Sequence, residues 1–315
     1  MQTIMKRYLR ILAIVAASVC CTPVHAAWQF TAIDFPGADV VETNVFGIND
    51  SGDAVGFAFD VLSEFQIHPF PFVYDTKKGT YTRLPRAFGE EFGTFASGIN
   101  NQGATSGNFL NELGQPAYIR SNKGVYRAYM RPGSVVFTDF RGINERGLIA
   151  GNADDGDLLV GFVFDPGSNT YVEFLPSPET VAHGINNRGD VVGSVFLEAG
   201  VACAQCPEGI YSFLRTARGE FSFFRVNGAD TRARGLSDSG LIAGQVDTDT
   251  GVKSFVTRVR GLPYEAITIP DASLLQFPGS DFTIAEGINN KGDVVGVYLD
   301  ADFGSHGFIA RQSSH

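Results

Sequence analysis

The sequence predicts an all-β fold, a six-bladed β-propeller of four-stranded blades, and three observations predict it. A ten-residue phrase returns six times at a period of 42 to 52 residues, every copy carries the chemistry of a tight turn, and a lone strand ahead of the first copy completes the last. With 37 glycines and 27 phenylalanines in 315 residues, the composition favours many short strands joined by turns over long helices.

The phrase reads GINDSGDAVG at Gly47, GINNQGATSG at Gly98, GINERGLIAG at Gly142, GINNRGDVVG at Gly184, GLSDSGLIAG at Gly235 and GINNKGDVVG at Gly287. A period of this length marks a repeat architecture in which each unit is one supersecondary element. A type I turn takes Asn, Asp or Ser first and Gly fourth, and the copies supply Asn49/Gly52, Asn100/Gly103, Asn144/Gly147, Asn186/Gly189, Ser237/Gly240 and Asn289/Gly292. An apolar residue precedes each turn and small or β-branched residues follow it, so a strand lies on either side. The phrase is therefore read as a folding element. Arg188-Gly189-Asp190 within it, an adhesion tripeptide by spelling, is read as coincidence, because Arg188 is the variable turn residue.

A second hairpin follows in most copies. PFVYDTKKGTYTRL, AYIRSNKGVYRAY, GFVFDPGSNTYVEF and YSFLRTARGEFSFF each alternate apolar and polar residues about a Gly, Pro or Asn turn. Four antiparallel strands per unit are propeller blades; a solenoid of stacked hairpins is the alternative. The chain ends favour the ring. The sixth copy has its first hairpin and HGFIARQ as a third strand, and WQFTAIDFPGA from Trp28 supplies the fourth. The 29 residues from Gly287 to His315 and the 20 from Ala27 to Phe46 make 49, inside the period. A solenoid would leave two ragged ends needing caps.

Residues 1–26 read as a secretory signal: Lys6, Arg7 and Arg10, then the apolar ILAIVAASV, then Val24-His25-Ala26 before the cut. The apolar run is too short to span a bilayer, which needs about 20 residues. Residues 27–315 form the propeller domain, with 21 basic against 34 acidic residues and a net charge near −13. That charge argues against nucleic acid or an anionic membrane as partner. Cys203 and Cys206 in CAQC are expected to form a local disulfide in an oxidising compartment, secreted or periplasmic. A zinc site lacks two further ligands, and a redox site lacks the following helix.

G-I-N-x-x-G-x-x-x-G repeated at this period after a signal resembles the bacterial extracellular HAF repeat family, and the resemblance covers essentially the whole mature chain. The His-Ala-Phe triplet that names the family is degenerate here: HGF at His306 is nearest, and other copies read PAY, VGF, YSF and KSF. The resemblance implies a secreted β-repeat protein and brings no activity with it.

Function is expected on one face. The tight turns of every blade share a face and are uniform, whereas the loops between second and third strands and between blades share the other and vary, and variable loops on a rigid scaffold carry function. Those loops are acidic, with Arg86, Arg131 and Arg232 the main balancing bases. They read as a solvated face that keeps a secreted protein soluble. The alternative is calcium as a cofactor, with Asp154, Asp155 and Asp157 the candidate metal residues, since DDGD has the D-x-D spacing of calcium loops but no distant Glu. No catalytic residues are assigned. His183, where other copies have Phe, Ser, Arg or Glu, reads as a variable strand residue, and His68 and His306 precede third strands. The expected function is a monomeric, non-enzymatic binding module for an extracellular glycan or protein. The alternative is a glycan-active hydrolase or lyase with carboxylates at the mouth of the central channel.

Overall fold

The computed structural model describes residues 28–63, 66–89, 93–201, 204–258, 267–269 and 273–313. The leader assigned to residues 1–26 and Cys203 lie outside them. The first strand of the described residues is β1 (Trp28–Ile33). Blade one follows as β2 (Val40–Ile48), β3 (Asp53–Ser63), β4 (Gln66–Asp75) and β5 (Thr80–Arg83), and blade two as β6 (Thr94–Ile99), β7 (Thr105–Phe109), β8 (Ala117–Arg120) and β9 (Tyr126–Tyr129). Blade three is β10 (Thr138–Ile143), β11 (Ile149–Asp154), β12 (Leu159–Asp165) and β13 (Thr170–Phe174). Blade four is β14 (Thr180–Ile185), β15 (Val191–Leu197), β16 (Gly209–Arg215) and β17 (Phe221–Val226). Blade five has β18 (Thr231–Leu236), β19 (Leu241–Thr248) and β20 (Gly251–Arg258), and its connection carries β21 (Ile267–Ile269) and β22 (Ser273–Leu275). Blade six is β23 (Thr283–Ile288), β24 (Val294–Leu299) and β25 (Ser305–Gln312).

β1 completes blade six as expected, running antiparallel to β25 from Trp28 opposite Gln312 to Ile33 opposite Gly307. The inner strands pack each on the next, and β23 packs on β2, so the ring is closed. The core lies between neighbouring sheets. Across the closure, Ile33, Val295 and Ile309 cluster with Val45, Ala58, Phe70 and Phe72, all buried. One departure concerns the outer edge of blade four. There β21 adds a fifth strand, parallel to β17, and only the three-residue β22 remains to close blade five. The open edge of β17 offers unpaired backbone groups, and the long connection out of blade five reaches them. Among the described residues no helix is long and apolar enough to cross a membrane.

Every copy of the phrase forms the expected turn. The fourth-position Gly N–H donates to the Asn or Ser carbonyl at 3.0–3.2 Å, with the Gly at φ of 78° to 90°, a region that favours glycine. The phrase has a second task that its turn chemistry conceals. The residue after each Asn or Ser donates its backbone N–H to the side-chain oxygen of its counterpart in the next blade: Asp50 to Asn101, Asn101 to Glu145, Glu145 to Asn187, Asn187 to Asp238, Asp238 to Asn290 and Asn290 back to Asp50, at 2.7–2.9 Å. Six copies close a hydrogen-bonded belt. The leading Gly of each phrase lets the inner strands meet, since a Cβ on any of the six would lie 2.4–2.9 Å from backbone of the next blade.

A third ring lies further along the inner strands. Thr43, Thr94, Thr138, Thr180, Thr231 and Thr283, each four residues before the leading Gly and at most 2% exposed, accept backbone N–H bonds at 2.9–3.3 Å from the segment that enters their blade. A buried hydroxyl needs a partner; here it ties each connection to its strand.

Candidate functional site

Each inner hairpin breaks register beside the leading Gly of its phrase, and that of blade one also between Val40 and Thr43. The shift falls between Val45 and Gly47, Ala96 and Gly98, Phe140 and Ile143, Ala182 and Gly184, Ala233 and Gly235, and Ala285 and Gly287. A β-bulge inserts an unpaired residue and re-aims its side chain. The residues inserted are Phe46, Ser97, Arg141, His183, Arg234 and Glu286, and all six line the central channel, a space of about 90 Å³. His183, expected as a variable strand residue, belongs to this set. Its variability is the signal: the position before the phrase takes five residue types in six copies because it faces a shared space and not a repeated neighbour.

The channel is a compact ionic site. Arg234 donates to Glu286 at 3.0 Å and to Gln245 at 2.8 and 3.2 Å. Arg141 Nε lies 2.5 Å from Asp139 Oδ2, a charge contact without hydrogen-bond geometry at that buried nitrogen. His183 is 8% exposed. Burial, reinforced by Arg234, Arg141 and Arg232, pushes its imidazole well below the usual value, so the ring is neutral at neutral pH. Two guanidinium and two carboxylate charges balance around it.

The two ends of the channel differ. On the turn face the belt residues form a rim in which the carboxylates Asp50, Glu145 and Asp238 alternate with the amides Asn101, Asn187 and Asn290. Alternation keeps like charges apart and gives each amide an acceptor: Asn290 Nδ2 bonds both Asp50 and Asp238 at 2.9 Å. Burial raises the Asp50 carboxyl, but bonds from Asn101 and Asn290 and the charge of Lys291 outweigh it and hold the group below its ordinary value. On the loop face the channel wall opens into a cleft of about 400 Å³ between blades one, two and three, which shares Phe46, Ser97 and Arg141 with the channel. Its floor is aromatic. Phe46 and Phe57 stack at 5.3 Å, and Phe95 meets Phe57 edge-on at 4.9 Å. Asn108, Gln115 and Asp139 supply polar groups. A groove of about 500 Å³ between blades two and three opens on the turn face, with Lys123, Arg127 and Arg146 at its edge.

The three aspartates read as calcium candidates do separate things. Asp154 is buried and accepts from Ser134 Oγ and from the backbone N–H groups of Val135, Val136 and Phe137 at 2.7–3.2 Å. Burial works against its charge, but these donors hold the carboxyl below its ordinary value. Asp155 faces Arg131 at 3.6 Å, and Asp157 is exposed. Among the described residues no group of three or more His, Cys, Asp or Glu is arranged to hold a metal ion. The bases expected to balance the acidic loops are each found on an acid: Arg86 on Asp60 at 3.7 Å, Arg131 on Glu173 at 2.7 Å and Arg232 on Asp247 at 3.0 Å. Cys206 packs against the core of blade four.

His306 clamps the ring closure. Its Nδ1 lies 2.8 Å from Asp34, just past β1, and its Nε2 3.1 Å from Asp300, while its ring stacks on Tyr298 at 5.1 Å. Burial lowers the imidazole's affinity for a proton, but the two carboxylates outweigh it and leave the group raised. A raised imidazole stabilises the fold fully below the unfolded value of about 6.5 and loses that contribution as pH rises through the folded value. The melting temperature should therefore fall as pH rises above about 6.5, and His306→Gln should flatten that part of the curve. Identical pH profiles for the two proteins would refute the clamp.

No protein-family model matches the chain, and no curated protein matches it. Solved structures do. The β-propeller domain of the Trilobed protease from Pyrococcus furiosus is 11% identical over 87% of this chain and 98% of its own, with a TM-score of 0.50. Virginiamycin B lyase from Staphylococcus aureus is 11% identical over 90% and 100%, TM-score 0.46, and a luciferin-regenerating enzyme is 10% identical over 90% and 95%, TM-score 0.49. At such identities the likeness concerns the fold alone: this chain is a six-bladed β-propeller.

Proposed function

We propose that the chain is an exported, non-enzymatic binding module of the HAF-like repeat type, which takes a small ligand into the cleft beside the loop-face end of its channel. The observation that carries this reading is a mismatch between space and chemistry. The cleft of about 400 Å³ is in the range of ligand sites, roughly 300–1,000 Å³, and its ionisable groups, Asp139 and Arg141, are paired with each other. The base His183, whose ring makes no hydrogen bond among the described residues, sits in the channel of about 90 Å³, which admits a few waters or the end of a ligand. Aromatic floor and amide walls orient a bound molecule without attacking it. Export rests on the expected leader at residues 1–26 and the expected Cys203–Cys206 disulfide, and the acidic charge is compatible with it.

A second reading, a lyase acting on glycans, is favoured by the neutral imidazole of His183 between two guanidinium groups, the arrangement of a base beside a site that stabilises developing negative charge. A hydrolase is less well supported, because Glu286 and Asp139 are each held by an arginine. The deciding experiment is a thermal-shift screen of the mature chain against sugars and small acids, repeated with Asn108→Trp, which fills the cleft, and followed by turnover assays of any hit. Binding lost in Asn108→Trp without turnover is the expected result. Hits that persist in that variant would overturn the cleft, and turnover lost in His183→Ala would replace binding by catalysis.

A further inference from the structure

We infer that the ligand of the cleft is an acidic sugar, a uronate or a glycan ending in one, whose carboxylate is taken by Arg141. The inference rests on the binding reading and names the chemistry of that site. A guanidinium has five donors in a planar fork, and Arg141 meets a single carboxylate, Asp139, with its Nε 2.5 Å from Oδ2 but without a hydrogen bond of good geometry at that nitrogen, so one partner leaves donors to spare. Arg141 lines both the channel and the cleft. A half-buried guanidinium with open donors suits a carboxylate, which it binds bidentately. The anionic groups that face the same space, Asp139 and Glu286, are each held by an arginine, so a third carboxylate meets neutralised neighbours.

The rest of the cleft distinguishes a sugar acid from an aromatic or aliphatic one. Asp139 is 6% exposed and has only Arg141 as its partner among the described residues, which leaves acceptor positions that a hydroxyl donor fills. Asn108 and Gln115 add both donors and acceptors. A ligand without hydroxyls would bury these groups unpaired, which costs it affinity. The half-buried rings of Phe57 and Phe95 give the apolar face of a pyranose a surface to lie on. Polar edge and apolar face together match a carbohydrate, and the guanidinium selects its acidic form.

The test is calorimetric titration of the mature chain with galacturonate, galactose and benzoate. Galacturonate is expected to bind about 10- to 100-fold more tightly than galactose, the effect of one charge-assisted interaction, and more tightly than benzoate. Arg141→Gln should remove the preference for the acid, and Phe57→Ala should weaken both sugars alike. Equal affinity for galactose and galacturonate would overturn the role of Arg141, and benzoate binding as tightly as galacturonate would overturn the sugar; in both cases the cleft remains a binding site. Absence of binding by all three, with library hits still lost in Asn108→Trp, would overturn the inference and leave the binding reading standing. The comparison of the three ligands on the unmutated protein decides the matter even where Arg141→Gln fails to fold.

Discussion

A mature chain lacking residues 28–33 should not hold a closed ring: its melting transition should fall far below that of the intact protein, or vanish into a broad one. The six residues of β1 supply every hydrogen bond on the outer edge of β25, and Ile33 is fully buried in the cluster that joins blade six to blade one. Removing one buried Ile side chain costs about 2–5 kcal/mol. Phe30, which packs on Phe277 and Phe308 at 5.6 and 5.7 Å, adds a similar amount. The total is on the order of the whole stability of a domain, about 5–15 kcal/mol. Adding back a peptide of residues 27–39 should restore the transition in a concentration-dependent way. A truncated protein that melts like the intact one would refute closure by β1.

The second large effect is expected from a single methyl group. Gly56 lies opposite the bulge in blade one, and a Cβ there would sit 1.8 Å from the Asn44 carbonyl oxygen and 2.9 Å from Val45 Cα, both backbone. Neither can give way by rotating a side chain, so Gly56→Ala has to spread the inner hairpin, at a cost of about 3 kcal/mol or more. Gly147→Ala is the control. Nothing lies within 4 Å of its Cβ, and its φ of 78° confines the cost to left-handed strain of about 1 kcal/mol. Chemical denaturation of the two variants should separate them clearly. Equal midpoints would mean that the inner hairpins are not packed as described.

Particular residues show how far the sequence could be read. The ring was legible because its period and turn glycines fit a propeller or a solenoid, and the displaced strand at Trp28 favours the closed ring. The six threonines stand in the same register and were as visible, but Thr is an ordinary strand residue and nothing in the sequence says that its hydroxyl is buried on a backbone N–H. The belt was half legible: Asn49 and its counterparts announce a turn, whereas the alternation of Asp50, Glu145 and Asp238 with Asn101, Asn187 and Asn290 acquires meaning only once the copies are arranged in a circle. The acidic run DDGD that begins at Asp154 is ambiguous in principle, because a calcium loop and a carboxylate anchoring a neighbouring loop use the same residues. The donors on Asp154 come from residues 134–137, some 20 positions away. The cleft was not legible. Phe46, Phe57, Phe95 and Arg141 come from three blades, and a half-buried Phe on a strand looks like core until the bulge beside it is seen.

That function sits at the loop-face cleft is tested most directly by a crystal structure of the mature chain soaked with galacturonate. The account predicts density for the sugar against Phe57 and Phe95, with its carboxylate on the open donors of Arg141 and a hydroxyl on Asp139. Density in the turn-face groove beside Arg127 and Arg146, or on the rim at Asp50, with the cleft holding only water, would contradict it.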